Sequence, residues 1–285
     1  MELQPLSPRL DVVFRSIFGE NHIHVLEDFL KAVLNLPADE LEDIRVEDPH
    51  LLRRHKKDKL GILDLRVTTK SGNVLSVELQ VAPQPSLLKR LNYYNARLLT
   101  DQIVVGDEYN KINRAITILI SYPVLFKETS GYHNRFLWYD ERTKITYPDS
   151  PEIHILEVQK ARNAYDSPLA NWLRFFAATT EEEFEMTAQT SPAIAEAWGV
   201  IKYLSADEET RRLAEYEEMA RRDEADRQQG AYSKGLQEGE LKGELKGRQE
   251  GINSVAKNLM RQKMPYEAIS DATGLSIDEI KRLAV

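Results

Sequence analysis

Two short β-rich runs separated by a turn constrain this chain more than any other feature. Residues 61–68 read GILDLRVT and residues 74–82 read VLSVELQVA, with KSGN just before the second run. Aliphatic and β-branched residues bounded by Gly, Ser and Asn predict the two strands of a hairpin. Side chains two apart share a strand face. Ile62, Asp64 and Arg66 therefore lie on one face and Leu63, Leu65 and Val67 on the other; Ser76, Glu78 and Gln80 alternate likewise with Val77, Leu79 and Val81. The apolar faces predict core. The other face carries two acids and an amide where a half-exposed sheet usually carries Thr, Lys or Ser. A three-residue loop, Lys70-Ser71-Gly72, with Gly72 in the left-handed bulge position, pairs Thr69 with Asn73. That register sets Asp64 directly opposite Glu78, with Cβ atoms about 4.5–5.5 Å apart. Two like charges there repel. A divalent cation would relieve the repulsion, and Mg²⁺ takes one or two carboxylates plus water and substrate phosphate; it could also polarise a phosphoryl oxygen. Pairing of the acids with Arg66, Lys59 or a helix would relieve it equally, and the spacing leaves both readings open.

Around the hairpin the pattern is mixed. Ser7-Pro8 reads as the N-cap and first position of a helix carrying Val12, Val13, Ile17 and Phe18, stopped by Gly19. Asn21 reads as the cap of a second helix with Val25, Phe29, Leu30, Val33 and Leu34 at helical spacing. After the hairpin, 87–105 predicts a long helix, Arg114–Ser121 (RAITILIS) a buried central strand, and 136–139 and 153–158 two further strands. From Pro168 onward only helices are expected, over 168–178, 180–189, 192–204 and 206–229. Strands first and helices later predict an α/β core extended by an α-helical region.

Composition excludes several classes of function. The 285 residues contain no cysteine, which removes disulfides, thiolate metal sites and cysteine nucleophiles and fits a reducing compartment such as the cytoplasm. The start, MELQPLSPRLDVVF, lacks a basic region followed by an apolar run, so no signal peptide is expected; no apolar stretch approaches membrane-spanning length, so no membrane partner is expected either. Lys and Arg number 38 against 46 Asp and Glu, a net charge of −8, which argues against nucleic-acid binding by bulk charge but not by a local patch. Residues 206–250, with 13 acids and 9 bases, carry half of that net charge. Such a patch exists: Arg53, Arg54, Lys56, Lys57 and Lys59 form the densest basic run, just before Asp64. It reads as a solvated loop or as a DNA-backbone contact.

The C-terminal part divides in two. Gly235, Gly239, Gly243, Gly247 and Gly251 recur every fourth residue, following one ridge of a helix. Residues 205–253 therefore read as a charged linker or as a helix for self-association into a homo-oligomer. Residues 254–285 predict three short helices, 254–262, 266–273 and 276–283, with Gly274 as breaker and Ser276 and Glu279 as a capping box. This is a helix-turn-helix pattern, but its last helix offers only Lys281 and Arg282 as bases, and a structural tail fits it better. Smaller features include Tyr93 and Tyr94, one for the core and one able to meet substrate. Glu157 and Lys160 predict a surface pair, while His22 and His24 are expected on different helix faces and so not to share a metal.

GILDLRV followed at this interval by VELQ, with LDVVFRSIFG near the start, resembles the Rpn family of recombination-promoting nucleases, also described as transposases, within the PD-(D/E)XK nuclease superfamily. RLNYYNARLL, IHILEVQK, the helical second half, the glycine repeat and the ATGLS tail extend the resemblance over nearly the whole chain. It implies a restriction-endonuclease-like fold, a mixed four-stranded sheet flanked by helices over residues 1–204, and Mg²⁺-dependent endonucleolytic hydrolysis of DNA phosphodiesters. By the same resemblance Asp64 and Glu78 are the metal-binding acids. Gln80 stands where the superfamily pattern has lysine and is expected to position the attacking water. An amide supplies no positive charge, so any catalytic cation must come from Lys89, Arg90, Lys59 or Arg97. Asp11 matches the family's N-terminal acid and would support the metal site or merely favour the positive end of its helix. The rival reading is a catalytically inactive member acting as a DNA-binding or protein-interaction module.

Overall fold

The computed structural model describes residues 4–34, 36–47 and 64–283. Two compact units divide the chain after Glu217. In the first, the sheet consists of β1 (Arg45–Glu47), β2 (Leu65–Thr68), β3 (Val74–Gln80), β4 (Ala115–Ser121), β5 (His133–Phe136) and β6 (Glu152–Glu157) in the order β1-β2-β3-β4-β6-β5. It is mixed: β1, β2 and β3 run antiparallel, β3, β4 and β6 parallel, and β5 antiparallel to β6. Six strands stand where the family resemblance implied four. The short edge strands β1 and β5 extend a four-stranded centre.

The hairpin register is the one its loop demands. Thr69 donates its N–H to the Asn73 carbonyl at 2.9 Å, Gly72 closes back on Thr69 with φ +92°, and Leu65 through Thr68 face Val77 through Val74. Helix α3 (Leu87–Thr100) then carries the chain from β3 to the parallel β4, since parallel neighbours need a crossover rather than a tight turn. It ends five residues short of the helix expected over 87–105. There the Gln102 side chain donates to the Leu98 and Asn113 carbonyls, tying the helix end to the loop before β4.

Both faces of the sheet are covered, which is why β4, AITILIS, is buried along its whole length. On one face Val67, Leu75, Val77, Ile116, Ile118 and Ile120 pack with α1 (Asp11–Ile17), α2 (Ile23–Val33), α4 (Pro168–Ala177), α5 (Glu181–Ala188) and α6 (Pro192–Ala206). The centre of that layer is aromatic: Phe14, Phe18, Phe29, Trp172 and Phe176 meet with ring centroids 5.2–6.3 Å apart, within the range of favourable ring pairs. On the other face α3 lays Leu87, Leu91 and Leu98 over Val74, Ala115, Leu119 and Ile155. Its buried Asn95 donates to the Ala115 and Glu152 carbonyls and to Thr117, pinning helix to sheet.

Several local expectations are corrected. The first helix begins at Asp11, not behind a Ser7-Pro8 cap, because the Ser7 hydroxyl and carbonyl close a local turn and Leu10 stays extended to enter the core. Asn21 sits within a 3-10 turn, and α2 starts at Ile23. The strand expected at 136–139 is β5, His133–Phe136; Trp138 and Tyr139 lie beyond it and exposed. His22 and His24 converge on the Glu196 carboxylate, at 2.7 and 2.5 Å, because a 3-10 turn precedes α2 and breaks regular helical phasing. Glu157 is no surface residue. It is fully buried and accepts from the Leu125 and Phe126 amides, Asn134 and Lys160, holding the loop after β4 against β6.

The second unit starts inside α7 (Glu208–Arg261) and continues with α8 (Tyr266–Thr273) and α9 (Ile277–Leu283). Ala256, Ile269, Leu275 and Ile280 form its small core. Gly274 ends α8 at φ +72°, and Ser276 and Glu279 exchange hydrogen bonds as a capping box before α9. The five stepped glycines are exposed along α7, with open space where each Cβ would stand. No helix among the described residues is long and apolar enough to cross a membrane.

The hairpin loop makes the first prediction. A Cβ at Gly72 would meet the Asn113 amide at 2.8 Å and force a left-handed backbone on an L side chain. Gly72→Ala is therefore expected to cost about 1–2 kcal/mol, measured as a lower Tm or urea midpoint. An unchanged midpoint would contradict this turn.

Candidate active site

Glu78 lies on the α3 side of the sheet, in the row Val74, Ser76, Glu78, Gln80. That row is not half-exposed, as its polar residues suggested. Helix α3 roofs it, leaving Glu78 only 4% and Gln80 only 5% exposed. Asp64 immediately precedes β2 and continues its register toward Glu78. Its carboxylate accepts the Leu79 N–H at 2.6 Å, and the Asp64 backbone in turn hydrogen-bonds the Glu78 carboxylate. Asp64 is thus tied to the backbone next to Glu78, and Glu78 to the backbone of Asp64.

Their electrostatics follow from that placement. Burial, followed by the charge of Asp64, pushes the Glu78 carboxyl well above its ordinary range, against the pull of Arg90. Asp64 is raised as well, first by burial; the Leu79 amide opposes this, Asp11 adds to it, and Arg15 and Arg90 pull it back. Glu78 Oε1 is buried with no hydrogen-bond partner among the described residues. Leaving a buried acceptor unmet costs about 1–3 kcal/mol, so the atom is poised for a donor or a cation. Among the described residues no group of three or more His, Cys, Asp or Glu side chains is arranged to hold a metal ion. The donor set is a carboxylate pair, which suits a hard divalent cation that completes its shell with water and phosphate oxygens.

The remaining expected residues differ in how they are placed. Gln80 follows Glu78 on the same face, and both ends of its amide are engaged: Oε1 accepts from the Arg90 guanidinium at 2.8 Å and Nε2 donates to the Ala82 carbonyl. Arg90, in the first turn of α3, also donates to Gln84 Oε1 at 2.7 Å and lies 5.9 Å from the Tyr94 ring centroid. Lys89 is exposed, and Arg97 pairs with Asp101 at the other end of α3. Asp11 is the first residue of α1 and reaches the site electrostatically through Asp64; its own N–H donates to the Glu217 carboxylate at 2.9 Å. Tyr94 is half-buried against Leu98 and Ala115, whereas Tyr93 is exposed. Arg53, Arg54, Lys56, Lys57 and Lys59 lie outside the described residues. Sequence reading missed Gln84 and Tyr94 as supports of Arg90, although Arg90 and Tyr94 are four apart on one helix face.

Glu78→Gln tests the buried charge. A carboxyl raised on folding costs nothing below its ordinary range and progressively more as pH climbs toward its folded value. With metal chelated, the variant should melt above the parent by roughly 2–4 °C near about pH 8, and the gain should vanish toward about pH 4. A pH-independent difference would contradict the assignment.

No curated protein and no solved structure matches the chain. A family model described as PD-(D/E)XK nuclease family transposase matches residues 8–231, taking in the sheet, α3 and both acids. The mixed sheet flanked by helices is the restriction-endonuclease-like architecture of that group, whose nucleases use divalent metal ions and act on DNA. The chain belongs to the PD-(D/E)XK nuclease family of transposases.

Proposed function

We propose that this protein is a Mg²⁺-dependent DNA endonuclease that hydrolyses phosphodiester bonds, serving recombination or mobile-element chemistry. The observation that carries the reading is the hydrogen-bonded pair Asp64–Glu78, with Glu78 buried on the sheet and one of its oxygens unpartnered among the described residues. A family match over a domain supports nuclease-like chemistry; the pair supplies a place for it.

Asp64 and Glu78 would hold the metal. When bound, a divalent ion supplies Lewis-acid charge at the phosphate and lowers the pKa of water near it. Everything else falls to the chain. The two carboxylates, once ionised, would offset the charge of such an ion from β3 and the segment before β2. The α3 roof keeps bulk water off Glu78, so charges in the site interact more strongly than they would in solvent. Asp11 and Arg15 adjust the Asp64 charge from α1 with opposite signs. The 53–59 basic run, directly before Asp64 in the sequence, would hold the phosphate backbone without reading bases.

Plasmid nicking in Mg²⁺ tests this directly. Asp64→Asn and Glu78→Gln, each verified as folded by its melt, are expected to lose activity by at least about 100-fold, and a chelator should abolish activity in the parent. Cleavage by both variants at the parental rate would remove the site.

A further inference from the structure

Gln80 replaces a lysine with a neutral amide, yet the site is not without positive charge. The Arg90 guanidinium donates to Gln80 Oε1 at 2.8 Å through one terminal nitrogen and to Gln84 Oε1 at 2.7 Å through the other. Gln80 is itself locked, its Nε2 donating to the Ala82 carbonyl. The Tyr94 ring lies beside the guanidinium at 5.9 Å. Arg90 is therefore held by β3, by the loop after it and by its own helix. Such fixation is unusual for a long flexible side chain, whose ordering carries an entropic cost. Arg90 Nε is buried and finds no acceptor among the described residues. A fixed cation with an unmet donor beside two carboxylates is arranged for an anion that is absent from the protein itself.

We infer that Arg90 is the catalytic cation of this site, binding a non-bridging oxygen of the scissile phosphate, and that Gln80 acts as its positioning residue. This rests on the nuclease reading above. The chemistry favours arginine: its planar fork stays charged at any working pH and binds phosphate with directional hydrogen bonds. A lysine at position 80 would deliver its charge from β3; here the charge is delivered from α3 and β3 supplies the anchor. The step itself is ordinary hydrolysis: water adds to phosphorus, the P–O bond to the leaving sugar oxygen breaks, and that oxygen takes up a proton. Arg90 transfers nothing. It offsets the negative charge gathering on the phosphoryl oxygens as water adds.

Single-turnover cleavage of a DNA duplex in Mg²⁺ separates the roles. Arg90→Gln should lower the maximal rate about 100-fold or more, beyond a loss of DNA affinity of no more than about tenfold. Arg90→Lys should recover part of the rate. Because Gln80 works through Arg90, the double variant Gln80→Leu/Arg90→Gln should cleave no more slowly than Arg90→Gln alone. Losses that multiply would overturn the anchoring role and return Gln80 to an independent task such as orienting water. Parental cleavage by Arg90→Gln would overturn the cation. A second readout needs no cleavage: with Ca²⁺ in place of Mg²⁺, the salt dependence of DNA binding should flatten by about one phosphate contact in Arg90→Gln and be kept in Arg90→Lys. An unchanged slope overturns the phosphate contact. If the parent binds DNA but does not cleave it, the nuclease reading fails alone and the slope still decides whether Arg90 meets phosphate.

Discussion

Glu78 is a carboxylate that the fold buries without partnering both of its oxygens among the described residues. Burial of that kind is destabilising unless something compensates, and the elements around it are arranged with respect to that group. The tight turn at Gly72 fixes the hairpin register, and Asp64, immediately before the first of its strands, accepts the N–H of Leu79 beside Glu78. The Leu79 N–H and the Asp64 backbone hold the two acids in place against their mutual repulsion. Helix α3 closes the face above them and brings Arg90 from its first turn. Charge of both signs is concentrated in a dry place and left incompletely matched.

Several other buried polar groups are fully engaged. Asn95 uses its amide on two carbonyls and a hydroxyl, Glu157 accepts two backbone amides along with Asn134 and Lys160, and Glu152 meets Arg135 at 2.8 Å as well as Arg114. Those groups hold the fold. Membership of the PD-(D/E)XK nuclease family of transposases gives the pair its chemical context: in the proposed function a divalent ion and a DNA phosphate would supply the missing partners.

The two halves of the chain were legible to different degrees. Strands with clean alternation, the turn at Gly72, the helices from Pro168 to Ala206 and the capping box at Ser276 all stand close to where local pattern placed them. Misreadings cluster where a local signal competes with burial. Ser7-Pro8 has the form of a helix start, but carrying Leu10 into the core was worth more than one further turn of helix. Glu157 and Lys160 have the spacing of an exposed ion pair, and nothing in that spacing reveals that a loop 30 residues earlier folds its amides onto the carboxylate.

The sequence by itself determined the hairpin register that carries Asp64 toward Glu78, because strand period and loop length are local quantities and together leave one register. It also supplied Arg90 as one of several basic residues able to serve the site. Only the tertiary structure decided that the acid face is roofed rather than half-exposed, that Arg90 rather than Lys89 or Arg97 reaches Gln80, and that one oxygen of Glu78 goes unmet. The reason is physical: burial and side-chain reach depend on how a helix crosses a sheet, and that crossing is set by the packing of Leu87, Leu91 and Leu98 against residues distant in the chain.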